Sequence, residues 1–392
     1  MNILRIIYDW PDANTSTVGL APAPYELSLS QAKLGNRIFV LCGNLNGKNL
    51  KQGRFSYDLA DGKITVFNLP RALKHFGPFL TTSILVPFYY FFIQLKYGVD
   101  LVHNHGHLGV WFLLYKKLFG WIDRTPVVGH FHIVAAAREK ALLNENAQLN
   151  AATKYFEYPI HKFSDVLLAQ ISKKVVTVSQ DNIEDIVSYL KVDRSKVTLL
   201  ESSVETDRFR REGPKIDFGF EDNAVIIANG GRLSKRKNID VLVESLRFLP
   251  ENFKLVLWGE WDESMKKIVD DLIAQYGLAD RVKYLGIVSY FEVDKQFRSI
   301  KFFVLPSSYE GLPKVVIEAL ASGAIVLASG FKVENPMPNL HFIDQIDAKH
   351  IADKVNEFLN DDFYAETRKI IETLYSWDSK AKLLEDIYAQ IS

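Results

Sequence analysis

Apolar and polar positions recur along this chain in one repeating block: a short apolar run, a break rich in Gly, Pro or Ser, an amphipathic stretch, then another apolar run. Phe302 to Leu305 is long enough for a buried strand. Pro306, Ser307 and Ser308 break it. Pro313 falls in the first turn of a following helix, where a missing N–H is tolerated. Val315 to Leu320 carries that helix, Ser322-Gly323 stops it, and Ala324 to Ala328 is a second buried strand. The chain opens on the same block: strand from Ile3 to Tyr8, loop from Pro11 to Pro24 with Gly19 in it, helix from Tyr25 to Leu34 ended by Gly35, strand from Arg37 to Cys42. Val175 to Ser179 leads through a serine cap into a helix from Gln180 to Leu190. Val197 to Leu200, Ala224 to Asn229, Lys254 to Trp258 and Val282 to Leu285 are further strands, and Tyr375 to Ile391 is an amphipathic helix. Strands alternating with helices predict an α/β chain with doubly wound parallel sheets, whose ligands sit off the carboxyl ends of the strands.

A length of 392 residues favours two domains over one. The stretch from Arg210 to Phe220, with Gly213, Pro214 and Gly219, reads as the linker. The 47 basic and 47 acidic residues balance, so no overall field points to nucleic acid. A single cysteine, Cys42, excludes an internal disulfide framework, fits a reducing compartment and reads as strand filling. A start that runs straight into a strand reads as lacking a signal peptide, so a cytoplasmic location is expected. His75 to Leu95 carries no Asp, Glu, Lys or Arg, yet Gly77, Pro78 and Pro87 interrupt it, which favours a packed or partly exposed helix over a membrane span. The sequence WFLLYKKLFGW, Trp111 to Trp121, mixes aromatics and lysines as interfacial helices do. Residues 76–95 and 111–121 therefore make peripheral contact with the inner membrane face an open expectation.

The candidate chemistry begins at Glu310-Gly311-Leu312. A helix entered there offers backbone N–H groups and the positive end of its dipole to a phosphate, and Gly311 lets a ligand approach closely. Glu318 lies eight residues after Glu310, roughly 12 Å along the axis of a continuous helix. Carboxylates accept paired hydroxyl hydrogen bonds, so one could hold a sugar and the other a ribose. The plain alternative makes Glu310 a helix-start carboxylate and Glu318 part of a solvated face. Upstream, Gly230 and Gly231 permit a tight turn, and Arg232 and Lys237 follow without the spacing of a P-loop. Taken alone that basic cluster also reads as a solvated face. His103, His105, His107, His130 and His132 gather at two strand ends; alternating histidines suit either strand-end structure or a metal.

These motifs carry a family resemblance. Glu310 to Glu318, within PSSYEGLPKVVIEALASG, resembles the Glu-x7-Glu element of retaining GT-B glycosyltransferases, in particular glycosyltransferase family 4. GRLSKRK resembles that family's GRLxxxK element, with Arg232 and Lys237 in the matching places. GVDLVHNH and PVVGHFH resemble two of its strand ends, with His132 in the place of a histidine beside the transferred sugar. The family usually has Pro where Ala324-Ile325-Val326 stands here, and Asn-Gly where Ser202-Ser203 stands. It also has a second glycine where Trp261 stands, and a richer glycine loop at Gly19.

The resemblance implies a GT-B architecture: two Rossmann-like, doubly wound parallel-sheet domains facing a cleft, 1–207 on the acceptor side and 208–374 holding the nucleotide sugar, with a terminal helix, 375–392, crossing back. It implies transfer of a hexose to the hydroxyl of a glycan, lipid-linked or small-molecule acceptor, with retention, as in cell-surface polysaccharide or glycolipid synthesis. His132, Glu310, Arg232 and Lys237 would be catalytic, and Gly19, Val288, Gly311, Leu312 and Glu318 would join Arg232, Lys237 and Glu310 in binding the donor. A UDP-sugar is favoured over GDP- or ADP-sugars, with no metal or other cofactor required. A GT-B epimerase or phosphorylase, or a non-catalytic sugar-nucleotide-binding protein, is the alternative.

Overall fold

The structure is a computed structural model of the chain and describes residues 1–10, 22–43, 56–70, 82–144 and 153–391. These fall into two compact units. The first holds the N-terminal residues through Glu201 and the C-terminal residues from Lys380; the second runs from Ser202 to Ser379.

The first unit is built on β1 (Asn2–Ile7), β2 (Arg37–Cys42), β3 (Ser56–Leu59), β4 (Ile64–Asn68), β5 (Leu101–His105), β6 (Val127–Phe131), β7 (Lys174–Thr177) and β8 (Val197–Leu199), in the spatial order β3-β4-β2-β1-β5-β6-β7-β8. All pairs are parallel except β3–β4. That edge hairpin was not expected. It turns through Ala60, Asp61 and Gly62, all at positive φ, a conformation that the Asp-Gly pair eases. The strands that helices cover on both faces read as largely apolar runs, as in FVLC of β2 and ILRII of β1, whose one polar side chain, Arg5, is itself buried.

Cys42 is fully buried at the end of β2, with its sulfur 3.6 Å from the Phe67 carbonyl, and burial pushes its thiol pKa up. The expected helix from Gln180 to Leu190 is present, and Ser179 caps it by accepting from the Asn182 N–H at 3.2 Å. The last helix, Trp377–Ala389, packs its end into this unit: Tyr388 is fully buried, and its hydroxyl lies 2.5 Å from His103 Nδ1. Asn36 also donates to Glu385 at 2.9 Å.

The second unit carries β9 (Val225–Gly230), β10 (Phe253–Trp258), β11 (Val282–Tyr284), β12 (Phe302–Pro306), β13 (Ile325–Ser329) and β14 (Leu340–Phe342). They form an all-parallel sheet in the order β11-β10-β9-β12-β13-β14. Successive side chains face opposite ways. Ala228, Val256, Phe303 and Leu305 enter one core, and Ile227, Leu255, Leu257, Phe302 and Val304 enter the other.

The stretch expected as a linker is instead fastened to this unit. The buried Arg298 guanidinium donates to the carbonyls of Arg208, Arg210 and Pro214, at 2.6, 3.1 and 3.1 Å, and Phe209 and Phe218 are buried. A segment without helix or strand partners must satisfy its carbonyls elsewhere, and one arginine with five donors does so.

Candidate active site

The second unit's site lies off the carboxyl ends of β9 and β12. β9 ends at Gly230, where an added Cβ would fall 2.2 Å from the Trp258 indole, so only glycine fits. Gly231 follows at φ +98°. The loop after it is stitched to its neighbour: the Leu233 N–H donates to Glu260 O at 2.8 Å and the Asp262 N–H to Leu233 O at 2.9 Å. Trp261, which replaces a glycine of the family pattern, stacks at a tilt on Tyr284. The loop then makes one 3-10 turn, Lys235–Lys237. Asn238, in the left-handed conformation, ties that turn to β12 by donating to Pro306 O at 2.7 Å.

Lys237 is buried, and its ammonium donates to Gly230 O at 3.2 Å. Desolvation lowers its pKa to about 8, against the pull of Glu310 in the other direction. Arg232 is exposed and has no hydrogen-bond or ion-pair partner among the described residues.

Glu310 is held on every side. Its N–H donates to Gly330 O at 2.7 Å, and Ser307 Oγ donates to its Oε1 at 3.1 Å. Arg236 pairs with its Oε2 at 2.9 Å and also donates to the Tyr309 carbonyl. The helix after it is Lys314–Ala321, so Pro313 is its N-cap and not a first-turn residue. Proline's extended ψ of 125° sets the entry angle there. Glu318 is 4% exposed, which removes the solvated-face alternative. Burial pushes its carboxyl pKa up, while Lys314, 3.2 Å away, and Arg208 pull it down. Tyr290 completes this corner, with Lys314 Nζ 4.1 Å and the Arg208 guanidinium 4.2 Å from its ring centre.

Sequence reasoning missed Arg236, Arg208, Lys314 and Tyr290. Only Lys314 left a signal, as the i−4 partner of Glu318. Val288 is half-buried on the loop after β11, packed against the core. Gly19 lies outside the described residues. Exposed Arg232, buried Lys237 and the helix start beyond Gly311 together suit an anion with several oxygens.

In the first unit the histidines meet as their spacing suggested. His105 and His130 are register partners on β5 and β6. His103 Nε2 lies 3.2 Å from His130 Nδ1, and His105 Nδ1 lies 3.3 Å from His132 Nε2. Desolvation holds His103, His105 and His130 well below their ordinary pKa, with the buried Arg5 adding to it, and brings His132 to about 4. All four rings are therefore neutral. Asn182 fixes the backbone beside His132, donating to its carbonyl at 2.6 Å. His103, His105 and His130 offer ligand atoms within 4.8 Å of one another, enough for a metal by distance, although they are partly committed to each other and to Tyr388. His107 instead stacks on His161 and lies 3.3 Å from Asp165, a buried carboxyl that desolvation raises to about 7.

Comparison with known proteins agrees with this division. Glycosyltransferase Family 4 matches residues 19–208, and Glycosyl transferases group 1 matches residues 214–377. A D-inositol 3-phosphate glycosyltransferase of Streptomyces avermitilis is 30% identical over 248 residues, 59% of this chain and 50% of that one. The chain thus spans about half the length of the curated relatives of that name. Among solved structures, sucrose-phosphate synthase of Thermosynechococcus elongatus superposes with a TM-score of 0.73 at 19% identity, over 100% of this chain and 98% of that one. Anabaena Alr3699/HepE, solved in complex with UDP and glucose, gives 0.63 at 17%, over the whole of both chains. With residues 19–208 and 214–377 matched in turn by these two family descriptions, the chain belongs to the family-4-like glycosyltransferases, and its whole length takes the GT-B fold of these solved structures.

Proposed function

We propose that this glycosyltransferase moves a hexose from a nucleotide sugar, UDP-linked by preference, to an acceptor hydroxyl with retention at the anomeric carbon. The observation that carries this reading is the loop and helix Glu310–Glu318: one carboxylate clamped at its start, one buried within it, and the cations of Arg232 and Lys237 on the loop after β9. In this reading Arg232, Lys237 and the Gly311–Leu312 amides hold the diphosphate and neutralise it as it leaves. Glu310 binds sugar hydroxyls, Glu318 the ribose, and the backbone at Val288 the base. Neutral His132 hydrogen-bonds the sugar, and Gly19 belongs to the donor loop. The leaving diphosphate helps to deprotonate the acceptor, and the two cations take the part a magnesium ion plays elsewhere. UDP in the Anabaena neighbour supports the choice of base. A glycan, a lipid-linked sugar or a small molecule serves as acceptor, and residues 76–95, of which 76–81 lie outside the described residues, and 111–121 make peripheral membrane contact.

The test is thermal shift with a panel of nucleoside diphosphates and their sugars, on wild type and Arg232→Ala. The expected result is a raised melting point with UDP or a UDP-sugar, lost in the variant. No shift with any nucleotide overturns the donor assignment. Turnover of the sugar nucleotide with and without acceptor then separates transfer from an epimerase or phosphorylase reaction.

A further inference from the structure

Two neighbouring helices of the first unit turn apolar side chains outward. In Val86–Tyr97, Val86, Tyr90 and Ile93 face the core. Phe88, Phe91, Phe92 and Leu95 lie on the opposite side, with Ile84 just before the helix, at the 4-3-1-3 spacing of a single stripe. Phe88 is 67% and Leu95 88% exposed. On and just beyond Val110–Phe119, the side chains Leu118, Phe119, Trp121 and Ile122 are also exposed, Trp121 by 75%. The two faces are continuous, because Phe91 lies 4.9 Å from Tyr115 and Tyr115 lies 5.7 Å from Phe119, ring to ring. So much contiguous apolar surface marks an interaction site.

Charge names the partner. Between Thr82 and Val99 the only charged side chain is Lys96. At the other end of the face, Trp121 borders an open recess of about 720 Å³ lined also by Lys116, Lys117, Asp123, Arg124 and Lys173. Its one carboxylate is consumed: Asp123 pairs with Lys116 at 3.2 Å and accepts from the Tyr90 hydroxyl at 2.7 Å. Lys117 is bonded only to neutral Gln170, and Arg124 and Lys173 have no carboxylate partner among the described residues. The recess therefore carries an unbalanced positive charge beside exposed Trp121.

We infer that this two-helix face lies on an anionic phospholipid surface, with its aromatic stripe among the acyl-chain ends and a lipid phosphate in the recess of Lys117, Arg124 and Lys173. Aromatic side chains with a flanking basic cluster are what such an interface selects. This rests on the peripheral-contact part of the reading above and not on the transfer reaction.

The experiment is flotation of the full chain with vesicles of phosphatidylcholine alone, or with about one part in three of phosphatidylglycerol. Binding at least tenfold tighter to the anionic vesicles is expected, weakening as salt rises. Phe88→Ser with Leu95→Ser should reduce binding tenfold or more. Lys117→Glu, Arg124→Glu and Lys173→Glu together should abolish the preference for anionic lipid. Melting points and nucleotide-induced shifts of the variants should match wild type, which separates failure here from failure of the donor site. Protein that stays below the gradient with both vesicles overturns the inference. So does a face that instead makes the chain a dimer, with the Phe88 and Leu95 changes restoring the monomer.

Discussion

Lys237 is the residue whose charge is most exposed to question, because burial leaves it protonated only below about pH 8. A diphosphate beside it would favour the charged form, so binding above that pH should draw in a proton. Calorimetry at about pH 9 in buffers of different ionisation heat should show uptake approaching one proton per nucleotide, and Lys237→Met should show none. Buffer-independent heats in the wild type would sink the assignment. Asp165 gives a second readout. Its ordinary pKa of 3.8 rises to about 7 in the fold, through desolvation only partly offset by the Ala135 N–H. The folded state thus holds an extra proton between those values, and its stability falls as pH rises through that window, then levels off. His107 has the opposite tendency, its pKa being lowered to about 3, so the useful quantity is a difference. Asp165→Asn should gain on wild type by about 2 kcal/mol between pH 5 and pH 7 in urea unfolding. At this scale Glu310, Glu318 and Lys237 stood out through the family resemblance of their stretches, since spacing alone left each open to a plain surface reading, and the fold buries Glu318 and Lys237. Arg236 and Arg208 did not, since each reaches its carboxylate through tertiary structure alone.

Among the elements, the Glu310 loop depends on a glycine far along the chain. Gly330 has φ +86°, and an added Cβ would stand 2.6 Å from Ser307 O and 2.9 Å from Tyr309 N. Its carbonyl also receives the Glu310 N–H. Gly330→Ala should therefore destabilise the second unit by about 2 kcal/mol and displace Glu310, with nucleotide affinity falling at least tenfold. A wild-type titration curve for this variant would show that the loop tolerates the shift. Most strands were easy to read because buried parallel strands are predominantly apolar. The β3–β4 hairpin was not, since SYDL and ITVFN carry no apolar run of that kind. The segment 210–220 misled for a related reason. Its Gly and Pro content describes its backbone faithfully but says nothing of Arg298, which anchors it from a distant helix.

In the whole molecule, the chain's last helix returns to the first unit, where Tyr388 covers the sheet over His103. Tyr388→Phe should lose about 1 kcal/mol, the value of one buried hydrogen bond, and Tyr388→Ala about 4 kcal/mol through the cavity it leaves. Equal losses in denaturant would mean that packing contributes nothing there. The doubly wound order could be foreseen at this scale, because alternating strands and helices admit few topologies. The outward aromatic stripe was visible only as an apolar run, for sequence does not say which side of a helix the core covers. Finally, the whole chain contains one thiol, sealed at the end of β2. Aqueous alkylating reagents should find none in the native protein and one after unfolding. The natural sequence is thus ready for single-site labelling. A cysteine introduced at Phe88 or Lys173 would be the sole target for a nitroxide or fluorophore, and depth or distance could be measured without first stripping the protein of its own sulfur.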